Sequence, residues 1–371
     1  MAVAGSETSL SLESVLQRIR PAVRAVSPYV VGGVENPPVK LNQNESPYDL
    51  PEDLKEELLD VYRAIPFNRY PEEQPRRLVR AFARHIGCAP EGILAGNGSN
   101  ELTYTLGLVL IEPGSAVVLP RPMFSLYEKV VRLHEGRLVS IPPLSDLRFD
   151  GEAILQAVER HDPVLTVLTT PNNPTGLAMP IEEIEPIVAA ASGFVVVDEA
   201  YVEFTDEVSA QTLLGRYPNL IILRTLSKAC GLAGLRLGFL LGHPTVVAEI
   251  LKARLPFMVD PLAEAAALAL LARPELLAER ARLLKESRQS LERSLREMNG
   301  VEVLPSQANF VLFRTPVEPT ALMVRLAQSG VLVRNMGGYP ELAGFLRVNA
   351  GTESENKAFL VALKNALIDS S

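Results

Sequence analysis

From about residue 90 the chain alternates short, almost uninterrupted apolar runs with longer helix-sized segments, and few folds satisfy that pattern. The runs are Ile93–Ala95, Ala116–Leu119, Leu165–Leu168, Phe194–Val197, Leu220–Leu223 and Leu237–Leu241. Each is rich in Leu or β-branched residues with little polar alternation, as strands buried on both faces must be. Segments such as Asn100–Ile111 and Ile181–Ala191 have the length of helices that connect parallel strands. The spacing predicts an α/β domain with a mostly parallel central sheet flanked by helices.

After about residue 244 the texture changes. Leu262 to Met298 is rich in Ala, Leu, Glu and Arg with Pro274 as its internal breaker, which predicts two long helices. VEVLPSQANFVLFR, GVLVRNMGG and FLRVNAG then read as strands around a further helix, a smaller α+β unit. Residues 1–40 read as an arm: Ser9 to Ile19 suits a short amphipathic helix that Pro21 stops. The expected organisation is an N-terminal arm (1–40), a large domain (41–255) and a small C-terminal domain (256–371).

Composition narrows the function. With 47% hydrophobic residues in 371, the chain can bury a sizeable core, so it is not a disordered one. A net charge of −8 argues against nucleic acid as a partner, because phosphate binding needs clustered Lys and Arg. Cys88 and Cys230 are too few for a disulfide framework and suit a reducing compartment. No run of 18 uncharged apolar residues suggests a membrane span. MAVAGSETSLSLE has no basic residue ahead of an apolar run and reads as no secretory signal, so a cytoplasmic protein is expected.

In an open α/β sheet, ligands bind beyond the carboxyl ends of the strands. Four of the predicted strands end in polar groups. Ile93–Ala95 is followed by GNGSNE, Leu165–Leu168 by TTPNNPTG, Phe194–Val197 by Asp198 and then Tyr201, and Leu220–Leu223 by RTLSKACGLAGLR. Gly96 and Gly98 allow close backbone approach, and the helix that follows offers free N–H groups to an anion. Thr225, Ser227 and Arg236 surround Lys228 with groups suited to a phosphate dianion. A lysine near that charge, in a partly dry site, can be a neutral amine able to condense with an aldehyde. Asp198, deep at a strand end, needs a cationic partner. A phosphate, a lysine amine and a carboxylate facing a protonated ring nitrogen together describe pyridoxal 5′-phosphate.

Other chemistries fit less well. GNGSNE has Glu101 where a dinucleotide-binding fingerprint carries its third glycine, and no GxxxxGK[ST] is present. His85, His134, His161 and His243 are scattered without ligand spacing, so no metal site is expected.

Three blocks carry a family resemblance: PNNPTG at 171–176, DEAYVEF at 198–204 and RTLSKACGLAGLRLGF at 224–239. They resemble the class I/II aminotransferases, pyridoxal-phosphate enzymes of fold type I. LNQNESPY (41–48), NRYPEEQP (68–75), GNGSNE (96–101), ANFVLFR (308–314) and VLVRN…FLRVNAGT (331–352) narrow the resemblance to the branch that acts on histidinol phosphate. It implies that Lys228 takes the cofactor's aldehyde and then moves the proton between substrate Cα and cofactor C4′. It assigns the pyridinium nitrogen to Asp198 and the ring O3′ to Asn173 and Tyr201. The phosphate falls to the backbone of Ser99 and Asn100 with Thr225, Ser227 and Arg236, and Phe124 stacks on the ring. Tyr70 would reach that phosphate from a partner subunit, so a homodimer with shared active sites is implied. Substrate contacts fall to Arg347 at its anionic end, to Arg334 as a second anion contact, to Asn173, and to Tyr29 of the arm.

The implied reaction is a ping-pong exchange, a step of histidine biosynthesis. Histidinol phosphate and 2-oxoglutarate become imidazole acetol phosphate and glutamate. Three departures bear on specificity: Phe124 stands where the family usually has Tyr, Asn335 for an acidic residue, and Asn349 for Thr or Ser. Relatives that transaminate phenylalanine or tyrosine are the alternative, and decarboxylases of O-phosphothreonine a further one.

Overall fold

The computed structural model describes residues 11–28 and 37–368. Its strands run in chain order β1 (Val39–Lys40), β2 (Ile93–Asn97), β3 (Ala116–Pro120), β4 (Arg137–Ile141), β5 (Leu165–Thr169), β6 (Phe194–Asp198) and β7 (Leu220–Thr225). They continue as β8 (Leu237–Gly242), β9 (Glu302–Val303), β10 (Phe310–Arg314), β11 (Val331–Leu332), β12 (Arg334–Asn335) and β13 (Phe345–Asn349).

Seven strands form the central sheet in the order β2-β8-β7-β6-β5-β3-β4. β3, β5, β7 and β8 are buried along their whole length, because helices cover both faces and leave no polar side to the pleat. The pairs β3–β4, β3–β5, β5–β6 and β6–β7 are parallel. β8 runs against both of its neighbours, a reversal that an apolar run cannot signal. β4 is a strand the apolar-run criterion does not select: it sits at the sheet edge, with Arg137 and Ser140 exposed and Leu138 and Val139 only half-buried.

The parallel set has a functional consequence. β5, β6 and β7 end at Thr169, Asp198 and Thr225 on one edge of the sheet. β2 ends there too and leads directly into the helix Gly98–Leu110. The reversed β8 starts at that edge, immediately after Arg236.

Pro274 divides the Ala/Leu-rich stretch as expected, into helices Pro261–Leu271 and Pro274–Arg296. Each starts with proline, where the missing N–H costs nothing. Asp260 caps the first by accepting from the N–H groups of Leu262 and Ala263, both at 2.9 Å. In the arm, the first helix is short, Leu12–Leu16, and Pro21 opens a second turn, Pro21–Arg24. The remaining strands build an antiparallel sheet, β12-β13-β10-β9, and a two-stranded parallel one, β1–β11. Val39 and Leu41 thereby join the core of Leu291, Val311, Phe313 and Phe359. Among the described residues no helix is long and apolar enough to cross a membrane.

A buried ion triad holds the back of the sheet edge. Arg224 meets Glu199 at 3.2 Å and Glu203 at 3.1 Å, while Glu199 also accepts from the Ser209 hydroxyl and the Ala210 N–H. Glu199 is 1% exposed, so removing its cation strands a buried charge. Arg224→Ala is expected to destabilise the protein by about 3–5 kcal/mol in denaturant unfolding.

Candidate active site

The strand ends open into a cleft of about 740 Å³. Its walls include Ser99, Asn100, Phe124, Asn173, Asp198, Tyr201, Thr225, Ser227, Lys228 and Arg236. Arg334 and Arg347 of the small antiparallel sheet complete it. Residues spread over more than two hundred positions therefore share one cavity.

Lys228 follows β7 in the turn between Thr225 and β8, and its Nζ donates to the Gln43 carbonyl at 3.2 Å. Burial pushes its amine down to about 8, helped by the positive charges of Arg347 and Arg236 and opposed by Glu45 and Asp198. Nζ lies 5.8 Å from the centre of the Tyr201 ring. That ring packs edge-on against Phe310, and its hydroxyl accepts from Asn44 Nδ2 at 3.0 Å.

Asp198 sits at the end of β6. Burial raises its carboxyl, against the Tyr127 hydroxyl, the Ala200 N–H and the charge of Lys228, which lower it. Tyr127 donates to Oδ2 at 2.6 Å and the Ala200 N–H to Oδ1 at 3.1 Å.

Across the cleft, bare backbone and hydroxyls form an anion cradle. Gly98 has φ +78° and opens the helix Gly98–Leu110; a Cβ there would lie 2.5 Å from Arg236 Nη2. A Cβ on Gly238 would collide with the backbone nitrogen of Ser99. Thr225 Oγ1 and Ser227 Oγ are 3.0 Å apart, and Arg236 Nη1 reaches Ser227 Oγ at 3.4 Å. Free helix N–H groups, two hydroxyls and a guanidinium thus converge.

On the other wall, the register of β12 on β13 sets Arg334 directly opposite Arg347. Arg347 Nη1 donates to Asn173 Oδ1 at 2.5 Å and Nη2 to the Asn42 carbonyl at 3.2 Å. Its guanidinium also lies over the Phe310 ring, 5.1 Å from the centre.

Two expected site residues stand apart. Tyr70 is 84% exposed, outside the cleft of its own chain, and stacks on Phe257 at 4.8 Å. Tyr29 lies outside the described residues.

Residues 36–363 match the profile of the aminotransferases of class I and II. The chain belongs to that family. It is 43% identical to the histidinol-phosphate aminotransferase of Chlorobaculum tepidum, over 93% of this chain and 99% of that one. The Chlorobaculum parvum enzyme of the same name is 42% identical, with 94% and 98% covered. Among solved structures, histidinol-phosphate aminotransferase from Sinorhizobium meliloti in complex with pyridoxal-5′-phosphate superposes with a TM-score of 0.87. That pair shares 28% identity and covers 95% and 98% of the two chains. The expected fold, fold type I with a mixed, mostly parallel sheet, is the one these neighbours have.

Several features of this aminotransferase have no signature in its sequence. Tyr127 lies in the first turn of the helix Leu126–Leu133, three residues after Phe124, and no motif in the sequence marks it. Asn44 and Gln43 belong to LNQNESPY, whose residues had no assigned part; Asn44 takes φ +54° and turns its amide to Tyr201. Asn349, one of the family departures, is not on the cleft wall: its Oδ1 accepts the Asn44 N–H at 3.2 Å. Asn335 does border the cleft, but its side chain is engaged by the Gly337 N–H at 2.8 Å and the Thr320 hydroxyl at 3.2 Å.

Proposed function

We propose that this aminotransferase exchanges an amino group between histidinol phosphate and 2-oxoglutarate, with pyridoxal 5′-phosphate as its cofactor. The observation that carries the substrate is the cross-strand pair Arg334 and Arg347. Both guanidinium groups border the same cleft, and two such forks suit a phosphate monoester better than one carboxylate. The names of the similar proteins from Chlorobaculum support the same substrate.

The cradle fits the cofactor's phosphate, since Gly98 and Gly238 leave open the space a Cβ would fill beside Arg236 and Ser99. Ser99 and Asn100 backbone, Thr225, Ser227 and Arg236 are its proposed ligands. Asp198 would face the ring nitrogen, Asn173 and Tyr201 the ring oxygen, and Phe124 the ring face. When bound, pyridoxal phosphate draws electrons from the substrate's Cα and carries the amino group between the two half-reactions. Lys228 Nζ is the base that takes the Cα proton, and an amine held near 8 is partly neutral at physiological pH. Arg347 and Arg334 orient the substrate so that its Cα hydrogen points at that amine.

A homodimer is the proposed working unit. Phe67, Tyr70 and Leu255 are 74%, 84% and 71% exposed, an apolar display that a second copy would cover. Cys88 and Cys230 are both unpaired, which suits the cytoplasm.

The test is a single turnover of cofactor-loaded protein with histidinol phosphate or with phenylalanine, following the visible absorbance of the lysine-bound cofactor. Histidinol phosphate is expected to discharge that band at a much lower concentration. A preference for phenylalanine would keep the amino transfer but reject the phosphate-reading site.

A further inference from the structure

We propose that Tyr127 is a positioning residue that keeps Asp198 an anion, by committing its phenol proton to Oδ2. This rests on the reading of Asp198 as the partner of the cofactor's ring nitrogen. A carboxylate can hold a proton on that nitrogen only while it stays the weaker base for it, so its own charge has to be secured in a partly dry site.

The geometry secures it from one side. Tyr127 is 4% exposed within the main core, beside Val130 and Val131, and its hydroxyl is 2.6 Å from Oδ2. At that distance the bond is charge-assisted. The Thr103 hydroxyl lies near the phenol oxygen and acts to lower it, as a donor does, while the phenol's own proton goes to Asp198 Oδ2 at 2.6 Å. Burial and the neighbouring carboxylate hold Tyr127 well above the usual phenol range, so it remains a donor wherever the enzyme works. The other groups facing Asp198 are the Ala200 N–H on Oδ1 and the more distant charge of Lys228. Against them stands burial, which raises the carboxyl. The Tyr127 bond is the strongest of the three counterweights. Its position is also informative: the hydroxyl comes from the helix Leu126–Leu133, whose Tyr127, Val130 and Val131 are buried in the main core.

The test follows the protonation of Asp198 in the full chain freed of cofactor, by the infrared carbonyl band of a protonated carboxyl. The band is assigned by its loss in Asp198→Asn. Tyr127→Phe removes one oxygen and keeps the ring in the core. It is expected to raise the protonation midpoint by about one to two pH units. A midpoint that does not move overturns the role of Tyr127. Should Tyr127→Phe fail to fold, 3-fluorotyrosine at position 127, a stronger donor of the same shape, is expected to lower the midpoint, and no change there overturns the proposal. In the loaded enzyme, the nitrogen-15 resonance of the cofactor ring separates the two readings. If Asp198→Asn shifts it and Tyr127→Phe does not, Tyr127 loses its part and Asp198 keeps its own. If Asp198→Asn leaves it unmoved, the assignment of Asp198 falls, and with it the premise on which the Tyr127 proposal stands.

Discussion

Replacing Lys228 with alanine is expected to reduce transamination by about 10⁴-fold or more, the upper range for loss of a general base. The variant should also lose the visible band of the lysine-bound cofactor, while cofactor held through the phosphate cradle alone should wash out. The reason lies in what surrounds the amine. Lys228 Nζ is held by the Gln43 carbonyl, and burial with the charges of Arg347 and Arg236 brings it to about 8. Among the described residues Lys129 is the one other lysine that lines the cleft, and its amine donates to the Ser27 carbonyl. The same environment fixes a pH dependence. Only the neutral amine attacks the cofactor's aldehyde, and the neutral fraction grows as pH rises through the amine's own value. Uptake of cofactor by the cofactor-free protein should therefore quicken tenfold per unit below about 8 and level off above it. An uptake rate that keeps climbing to about pH 10 would place the amine in ordinary solution surroundings. Substantial turnover by Lys228→Ala would reject the residue as the base.

Asp198→Asn is the second large effect. The side chain keeps its shape at the end of β6 but loses its charge and one of its two acceptor oxygens, so the Tyr127 hydroxyl and the Ala200 N–H can no longer both donate to it. Breaking a charge pair in a dry site costs about 3–5 kcal/mol, or about 10²–10⁴-fold in turnover, with cofactor affinity falling in the same direction. Equilibrium dialysis of the cofactor and steady-state rates check both halves. A variant with wild-type rate and affinity would mean that Asp198 serves only the local turn through the Ala200 N–H, as a carboxylate after a strand often does. The Tyr127 contact predicts otherwise: a donor from the hydrophobic core, 2.6 Å away, has no structural turn to hold.

Much of the site could be read in one dimension because its parts are local. Lys228 lies between Thr225 and Arg236 in the one connection from β7 to β8, and the Asp198–Tyr201 block is four consecutive residues. Strand, turn and helix start are encoded by neighbours, and the apolar runs showed where each strand would end. The two long helices were equally legible, since Pro274 breaks the Ala/Leu-rich stretch locally. β4 was missed because an edge strand carries polar residues on its open side, so the buried-strand signature fails there.

The sequence by itself determined an α/β sheet with polar groups at its strand ends, and the lysine, carboxylate and hydroxyls that make those ends chemical. The tertiary structure alone decided the rest. It reversed β8, brought the Gln43 carbonyl to Lys228, set Tyr127 against Asp198 and placed Arg334 across from Arg347. Those pairings join residues that are distant along the chain or sit on separate strands. Periodicity reports which face of an element is apolar, but the partner that face meets depends on strand register and helix packing, which are settled only when the whole core closes.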